Sequence, residues 1–170
     1  MVVCAEPFSK KGLNRAFLGG VSIVSLSLYI IMASHVVAIN RDLSDYTSGI
    51  PVVERNKTLL PVRLEDYQVG KIRPLHWAFN YYNVFKGGAT GQSVVKYTGR
   101  VPIKYKQPIA KVFPSFNPRA PGDADMERIK ASYDYVLFWG TKQRIFDLFE
   151  NNGFQLIHKK GRLRLYSSIG

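Results

Sequence analysis

The chain has 170 residues, of which 46% are hydrophobic, and a formal net charge of +12 at pH 7. This length allows one domain of ordinary size in addition to a membrane anchor. A single cysteine excludes an internal disulfide and a cysteine-based metal cage. The positive charge favours an anionic partner such as lipid headgroups, an acidic protein face or an acidic polymer, although solubility alone would explain it equally well.

A long apolar segment follows the N-terminus. Residues 1–15 form a basic arm, and residues 16–39 contain no Asp, Glu, Lys or Arg. A helix of that length crosses the ~30 Å hydrocarbon core of a bilayer. A secretory signal also has a basic arm, but its apolar part usually runs about 7–15 residues. We therefore predict an uncleaved, single-pass transmembrane helix over residues 16–39.

The charges beside this helix predict its orientation. Lys10, Lys11 and Arg15 cluster on its N-terminal side. By the positive-inside rule the N-terminus is cytoplasmic and the domain extracytoplasmic, on the periplasmic side.

Small polar residues within the helix suggest a packing face. Ser22, Ser25 and Ser34 could let another membrane helix approach closely. The alternative is that each hydroxyl bonds to a carbonyl of its own helix.

Beyond the bilayer, residues 40–56 read as an exit helix and linker. The helical pattern continues to Ile50, and Gly49 and Pro51 end it. Asp42 and Asp45 share one face of this helix. Such a pair could act as a general base on a lipid-linked substrate, but it is more typical of a solvated helix face.

Residues 57–170 form the predicted soluble domain. In chain order, the pattern predicts a strand at 57–64, a helix at Leu75–Phe85, one or two strands at 94–105, an irregular proline-rich loop at 107–122, a short helix at 123–131, a strand at Tyr133–Trp139, a helix after Gly140 and Thr141, and a hairpin of 154–158 with 162–167.

This order predicts an α/β fold: one N-terminal transmembrane helix, then a small mixed-sheet domain of two or three layers that ends in a β-hairpin. Tyr133–Trp139 is apolar on both faces, which is typical of a central strand. Thr141 is the predicted N-cap of the following helix, and Ile145, Leu148 and Phe149 are its predicted buried stripe.

Two features suggest binding. Gly140 and Thr141 form a possible ligand turn, because ligands of open α/β sheets lie at the carboxyl ends of strands beside helix N-termini. A tight turn with a helix cap is the simpler interpretation. The second feature, the basic stretch, mixes cationic and aromatic side chains: Lys96, Arg100, Lys104, Lys106, Lys111, Tyr97 and Tyr105.

The basic stretch fits three kinds of surface. Cations with aromatic residues suit a membrane interface or an acidic partner, and they can also hold single-stranded nucleic acid. A domain tethered beside a bilayer favours membrane lipid or other membrane protein subunits over nucleic acid.

The sequence pattern gives little support for a catalytic site. His35, His76 and His158 have no metal-ligand spacing, so we expect no metal site. We predict no catalytic residue and no cofactor, and we interpret the chain as working by binding.

Several segments together resemble a known type of domain. They are Asn40, Leu43 and Tyr46 of the exit helix, Leu59-Leu60-Pro61, Leu75-His76-Trp77-Ala78, Tyr133–Gly140 and Gly161–Tyr166. Residues 20–166 thereby resemble the last transmembrane helix and extracytoplasmic C-terminal domain of bacterial polytopic proteins similar to lipid-sugar-dependent, GT-C type glycosyltransferases. In that family the catalytic acidic residues lie in an early loop that has no counterpart here, so the resemblance implies a domain type and a side of the membrane.

The expected function is that of a non-catalytic, membrane-anchored accessory subunit whose basic domain docks on a larger membrane protein complex. Two alternatives remain open. One is a fragment of a membrane glycosyltransferase that needs a partner, and the other is a module that binds anionic lipid or polymer.

Overall fold

The computed structural model describes residues 11–65, 68, 73–90 and 113–168. The chain divides into two compact units, Met1–Asn40 and Arg41–Gly170. Helix α1, Lys11–Thr47, runs from the first unit into the second. The predicted strands at 94–105 lie outside the described residues.

The first unit consists of the apolar part of α1. This helix is long and apolar enough to cross a membrane, and none of its most apolar 18-residue window is buried within the protein. Among its described side chains, thirteen large hydrophobic ones are exposed: Phe17, Leu18, Val21, Ile23, Val24, Leu26, Leu28, Tyr29, Ile30, Ile31, Met32, Val36 and Val37. The predicted apolar helix is therefore present near the N-terminus.

The second unit is a mixed α/β domain, as predicted. Its described residues form four strands, which are β1 (Leu59–Arg63), β2 (Tyr135–Trp139), β3 (Phe154–Lys160) and β4 (Leu163–Ser168). They form one sheet in the order β1-β2-β4-β3. Strand β1 pairs with β2 in parallel, β4 pairs with β2 antiparallel, and β3 and β4 form the closing hairpin.

Helices cover both faces of the sheet, which makes three layers. Helices α3 (Met126–Ser132) and α4 (Gln143–Asn151) contribute to one core, and the end of α1 with residues 75–82 contributes to the other. Helix α2, Asn80–Lys86, follows in the second of these layers.

Strand β2 is central and fully buried. Val136 and Phe138 point into the core with α3 and α4, whereas Leu137 and Trp139 point into the core on the α1 and α2 side. All five residues of the strand are buried. The prediction of a central strand is confirmed.

Three local predictions need correction. The predicted helix Leu75–Phe85 begins only at Asn80, because residues before it bond in tighter turns, such as Ala78 N–H to the Leu75 carbonyl. The N-cap of α4 is Lys142 and not Thr141. The buried stripe of α4 is Ile145, Phe146 and Phe149, with Leu148 only partly buried.

A buried charge on β2 should unfold the domain. Val136 is 0% exposed, so Val136→Asp would place an unpaired carboxylate in the core and cost at least about 3 kcal/mol. Val84 on α2 is 76% exposed and provides the same substitution as a control. We expect the melting temperature of the full chain in detergent to drop sharply for Val136→Asp and to change little for Val84→Asp. Equal melting temperatures for the two variants would contradict the central placement of β2.

Candidate functional site

A carboxylate joins the parallel strands β1 and β2 at their N-terminal ends. Asp134, just before β2, accepts hydrogen bonds from the Thr58 backbone N–H at 2.8 Å and from the Thr58 hydroxyl at 2.7 Å. Lys57 Nζ lies 3.2 Å from the other carboxylate oxygen. Burial alone would raise the pKa of Asp134, but these hydrogen bonds and the Lys57 charge outweigh it and lower the pKa.

A second carboxylate joins the same two strands at their carboxyl ends. Glu65 Oε1 accepts from the Thr141 backbone N–H at 2.9 Å and from the Thr141 hydroxyl at 2.6 Å. Arg162 lies 3.6 Å from the second oxygen of this carboxylate. The hydrogen bond from the Thr141 hydroxyl is the main reason why the pKa of Glu65 is lowered.

The predicted ligand turn is therefore occupied by a side chain of the chain itself. Gly140 adopts φ +137°, and a Cβ there would lie 2.7 Å from the Cβ of Leu64. Because Gly140 has no Cβ, the segment that follows β1 can pass close to it, and Glu65 can reach Thr141. The N–H group that an anionic ligand would use at this turn is already bound.

A pocket of about 360 Å³ lies on the α1 and α2 side of the sheet. We call it the arginine pocket, and it is lined by Tyr46, Pro61, Arg63, Leu75, His76, Trp77 and Phe79. Its volume falls within the range of small-molecule sites, and its walls are mostly apolar and aromatic. Trp77 is 40% exposed at its wall, whereas Tyr46 is 2% exposed.

One cation enters this pocket. Arg63 Nη1 lies 2.8 Å from His76 Nδ1. A guanidinium can only donate, so Nδ1 accepts and the neutral ring carries its proton on Nε2. Among the described residues no carboxylate lies within ion-pair distance of Arg63. The positive charge in the pocket is therefore not neutralised by a described side chain.

The aromatic side chains are arranged around this polar pair. The rings of His76 and Trp77 meet edge to face at 4.6 Å, and Trp77 lies 5.8 Å from Phe79. The rings of Trp139 and Tyr46 lie 5.4 Å apart, and the buried Nε1 of Trp139 has no hydrogen-bond partner among the described residues. The described lining of the pocket thus combines a cation with several aromatic rings.

A serine and a histidine also meet where α1 ends. Ser48 Oγ lies 2.7 Å from the Asp45 carbonyl and 2.8 Å from His158 Nε2. The carbonyl can only accept, so the hydroxyl donates to it and His158 Nε2 donates to the hydroxyl. In this arrangement the imidazole cannot take a proton from Ser48. The contact ties the end of α1 to β3 and does not prepare a nucleophile.

Asp45 serves the same junction. Its carboxylate lies 3.3 Å from Lys160 Nζ, and a Cβ at Gly161 would lie 2.6 Å from its Oδ2. Asp42 lies 3.9 Å from Arg41. Both carboxylate side chains are partly buried, at 17% and 21% exposure, so this helix face is less solvated than the sequence suggested.

The structure separates the three serines of the predicted packing face. Residues of an α-helix follow each other at about 100° around the axis, so Ser34 lies roughly 180° from Ser25 and about 120° from Ser22. Ser34 donates to the Ile31 carbonyl at 2.7 Å. Ser22 and Ser25 remain neighbours on one side of α1.

The basic stretch lies outside the described residues. This holds for each of its predicted binding residues: Lys96, Arg100, Lys104, Lys106, Lys111, Tyr97 and Tyr105. Their role stays a prediction.

Sequence reasoning missed the arginine pocket. It considered His76 only as a metal ligand and as part of the Leu75-His76-Trp77-Ala78 segment, and it did not single out Arg63. A usable signal was present, because Arg63 lies near the carboxyl end of the predicted strand at 57–64, where ligands of open α/β sheets bind.

The chain matches no protein-family model, no curated protein and no solved structure.

The Glu65 contact should make stability depend on pH. Because the folded state lowers the pKa of Glu65 below its ordinary 4.5, the contact stabilises the fold above that value and is lost as pH falls further. We expect Glu65→Gln to lower the free energy of unfolding by about 1 kcal/mol at pH 7, allowing for its partial exposure. The difference from wild type should shrink as pH falls below 4.5 and the carboxylate becomes protonated.

Glu54 provides the control for this experiment. It is 70% exposed and lies 3.8 Å from Lys57, so Glu54→Gln should change stability by only a few tenths of a kcal/mol. Denaturant unfolding of the full chain at several pH values measures both variants. A pH-independent difference for Glu65→Gln would show that the charge of Glu65 contributes nothing.

Proposed function

We propose that the chain is a membrane-anchored accessory subunit whose basic domain docks on a larger membrane protein complex. The observation that carries this proposal is the exposed apolar surface of α1. No described residue covers its most apolar window. Large apolar side chains without cover are stable in lipid or against other membrane helices.

Helix packing within the membrane would hold one part of the complex. Ser22 and Ser25 lie on the same side of α1, and neither has a hydrogen bond among the described residues. Small side chains at such positions allow close helix approach. Ser27 and Ser34 bond to their own helix at 2.8 and 2.7 Å, so they are less suited to this role.

Charge would guide the docking of the domain. The chain has 24 Lys and Arg against 12 Asp and Glu. Several of the described carboxylates are already engaged within the fold, among them Asp45, Glu65 and Asp134. The remaining positive charge suits an acidic surface and steers association with it.

The docking proposal predicts a salt-sensitive complex. Replacing Lys96, Arg100, Lys104 and Lys106 with Gln should leave the fold intact and reduce the complex that is retained after mild-detergent extraction at least tenfold. The wild-type complex should dissociate as salt rises, since the screening length is ~8 Å at 0.15 M and shorter above it. Native gels of extracts from the cell's own membranes measure the size and yield of the complex.

A charge-matched variant provides the control. It removes four exposed cations elsewhere in the domain by substitution with Gln: Arg55, Lys142, Arg144 and Lys159. It should lose much less of the complex. A yield unaffected by salt and by the first variant would remove electrostatic docking. Normal complex formation by the first variant would instead favour a module that binds anionic lipid or polymer.

The proposal places the N-terminus in the cytoplasm and the domain on the periplasmic side. Single cysteines at Ser9 and at the exposed Ser115, in a Cys4→Ser background, test this orientation. In intact cells a thiol reagent that reaches the periplasm but not the cytoplasm should label Ser115→Cys and not Ser9→Cys. Both should be labelled after the inner membrane is made permeable. The reverse pattern in intact cells would place the domain in the cytoplasm.

A further inference from the structure

We propose that the arginine pocket binds a small ligand in which an oxyanion, phosphate or carboxylate, is joined to an apolar or ring-shaped group. The guanidinium of Arg63 would hold the oxyanion, and the aromatic wall at Trp77 would hold the attached group.

The charge of the pocket selects an anion. Arg63 is only partly exposed, and its described hydrogen-bond partner is the uncharged His76 imidazole at 2.8 Å. One nitrogen contact leaves further N–H groups of the guanidinium in the fork geometry that matches carboxylate and phosphate oxygens. The Nδ1 atom of His76 accepts from Arg63, so this contact leaves the positive charge on the guanidinium.

The walls of the pocket select the rest of the ligand. Leu75 and Phe79 are buried at 3% and 4% exposure and form an apolar base, whereas Trp77 is 40% exposed. A tryptophan that keeps this much exposed surface beside a cation can stack on a flat or ring-shaped group. A free inorganic anion would leave these apolar faces unused.

The position of the pocket in the fold agrees with a binding role. Arg63 is the last residue of β1, and its register partner is Trp139, the last residue of β2. The pocket therefore borders the carboxyl ends of the two parallel strands, the edge where open α/β sheets hold ligands. The neighbouring turn at Thr141 is filled by Glu65, whereas about 360 Å³ beside Arg63 is open.

None of these residues belongs to the basic stretch, so ligand binding and docking can fail independently. The two tryptophans of the chain give a direct measurement, because Trp77 lines the pocket and Trp139 is 1% exposed. The full chain in an uncharged detergent is titrated with phenyl phosphate, benzoate, short-chain dihexanoyl phosphatidate and uncharged benzyl alcohol. Empty micelles provide the blank.

We expect a saturable change of tryptophan fluorescence with at least one anionic probe, half-complete at or below about 1 mM. Benzyl alcohol should bind at least tenfold more weakly than that probe. Tighter binding of phosphatidate than of phenyl phosphate and benzoate would identify a lipid headgroup as the source of the anion. The opposite order would identify a soluble ligand.

Variants connect the signal to the pocket. Arg63→Gln should weaken binding of the anionic probes at least tenfold, and Arg63→Lys should weaken it less because the charge remains. Arg144→Gln removes an exposed arginine outside the pocket and should change nothing. Trp77→Phe should abolish the fluorescence change while equilibrium dialysis still detects bound phenyl phosphate.

Three results would overturn the proposal. One is the absence of saturable binding of every anionic probe, and another is equal binding of benzyl alcohol. The third is that Arg63→Gln has the melting temperature of wild type and still binds the anionic probes as tightly as wild type does. Should that variant fail to fold, Arg63→Lys decides, because a site that needs the guanidinium fork must bind the probes more weakly with lysine.

Discussion

The domain depends on a parallel pairing between two strands that are far apart in the sequence, and two carboxylates fix that pairing. Thr58 meets Asp134 at one end of the pair, and Glu65 meets Thr141 at the other. Both contacts join residues 76 positions apart, the same offset as the register of β1 on β2. In each, one carboxylate oxygen takes both the N–H and the hydroxyl of a threonine. A slip of one residue would break both contacts and turn the buried side chains to the wrong face.

The rest of the domain follows from this register. With β1 fixed on one side of β2 and β4 on the other, β2 has no free edge and no exposed face. Alternate residues of β2 must then enter two separate cores, which requires a helical layer on each side of the sheet. The same register places Arg63 beside Trp139 at the carboxyl edge, so the position of the arginine pocket is set by the pairing and not by local sequence.

The sequence predicted those elements whose pattern arises from burial on both faces or from strong turn signals. Tyr133–Trp139 could be recognised as central because a strand without polar positions has no side to turn to water. The hairpin could be recognised because Gly161, at φ +54°, supplies the turn between two alternating segments. Such signals need no knowledge of the partner strand.

Other features were missed because they depend on contacts that are distant in the sequence. Pro74 and the apolar residues after it favour an α-helix. Residues 75–79 instead form tighter turns before the helix begins at Asn80, and Leu75, Ala78 and Phe79 pack into a core. Thr141 is of a residue type that commonly caps helices, but its hydroxyl donates a hydrogen bond to Glu65. The N-cap is therefore Lys142, and the helix starts at Gln143. Neither outcome can be derived without the register of β1 on β2.

The same contacts engage several carboxylates of a chain in which cations outnumber them two to one. Glu65, Asp134 and Asp45 are among the 12 acidic residues of the chain, and each is held by threonine, lysine or arginine neighbours within the fold. Acidic groups engaged in this way are not free to neutralise other cations. Arg63 is the clearest case, because its described neighbour at hydrogen-bond distance is an imidazole and not a carboxylate. The fold thus uses carboxylates to fix strand register and the end of α1, and no described carboxylate pairs with the guanidinium in the pocket that this register creates.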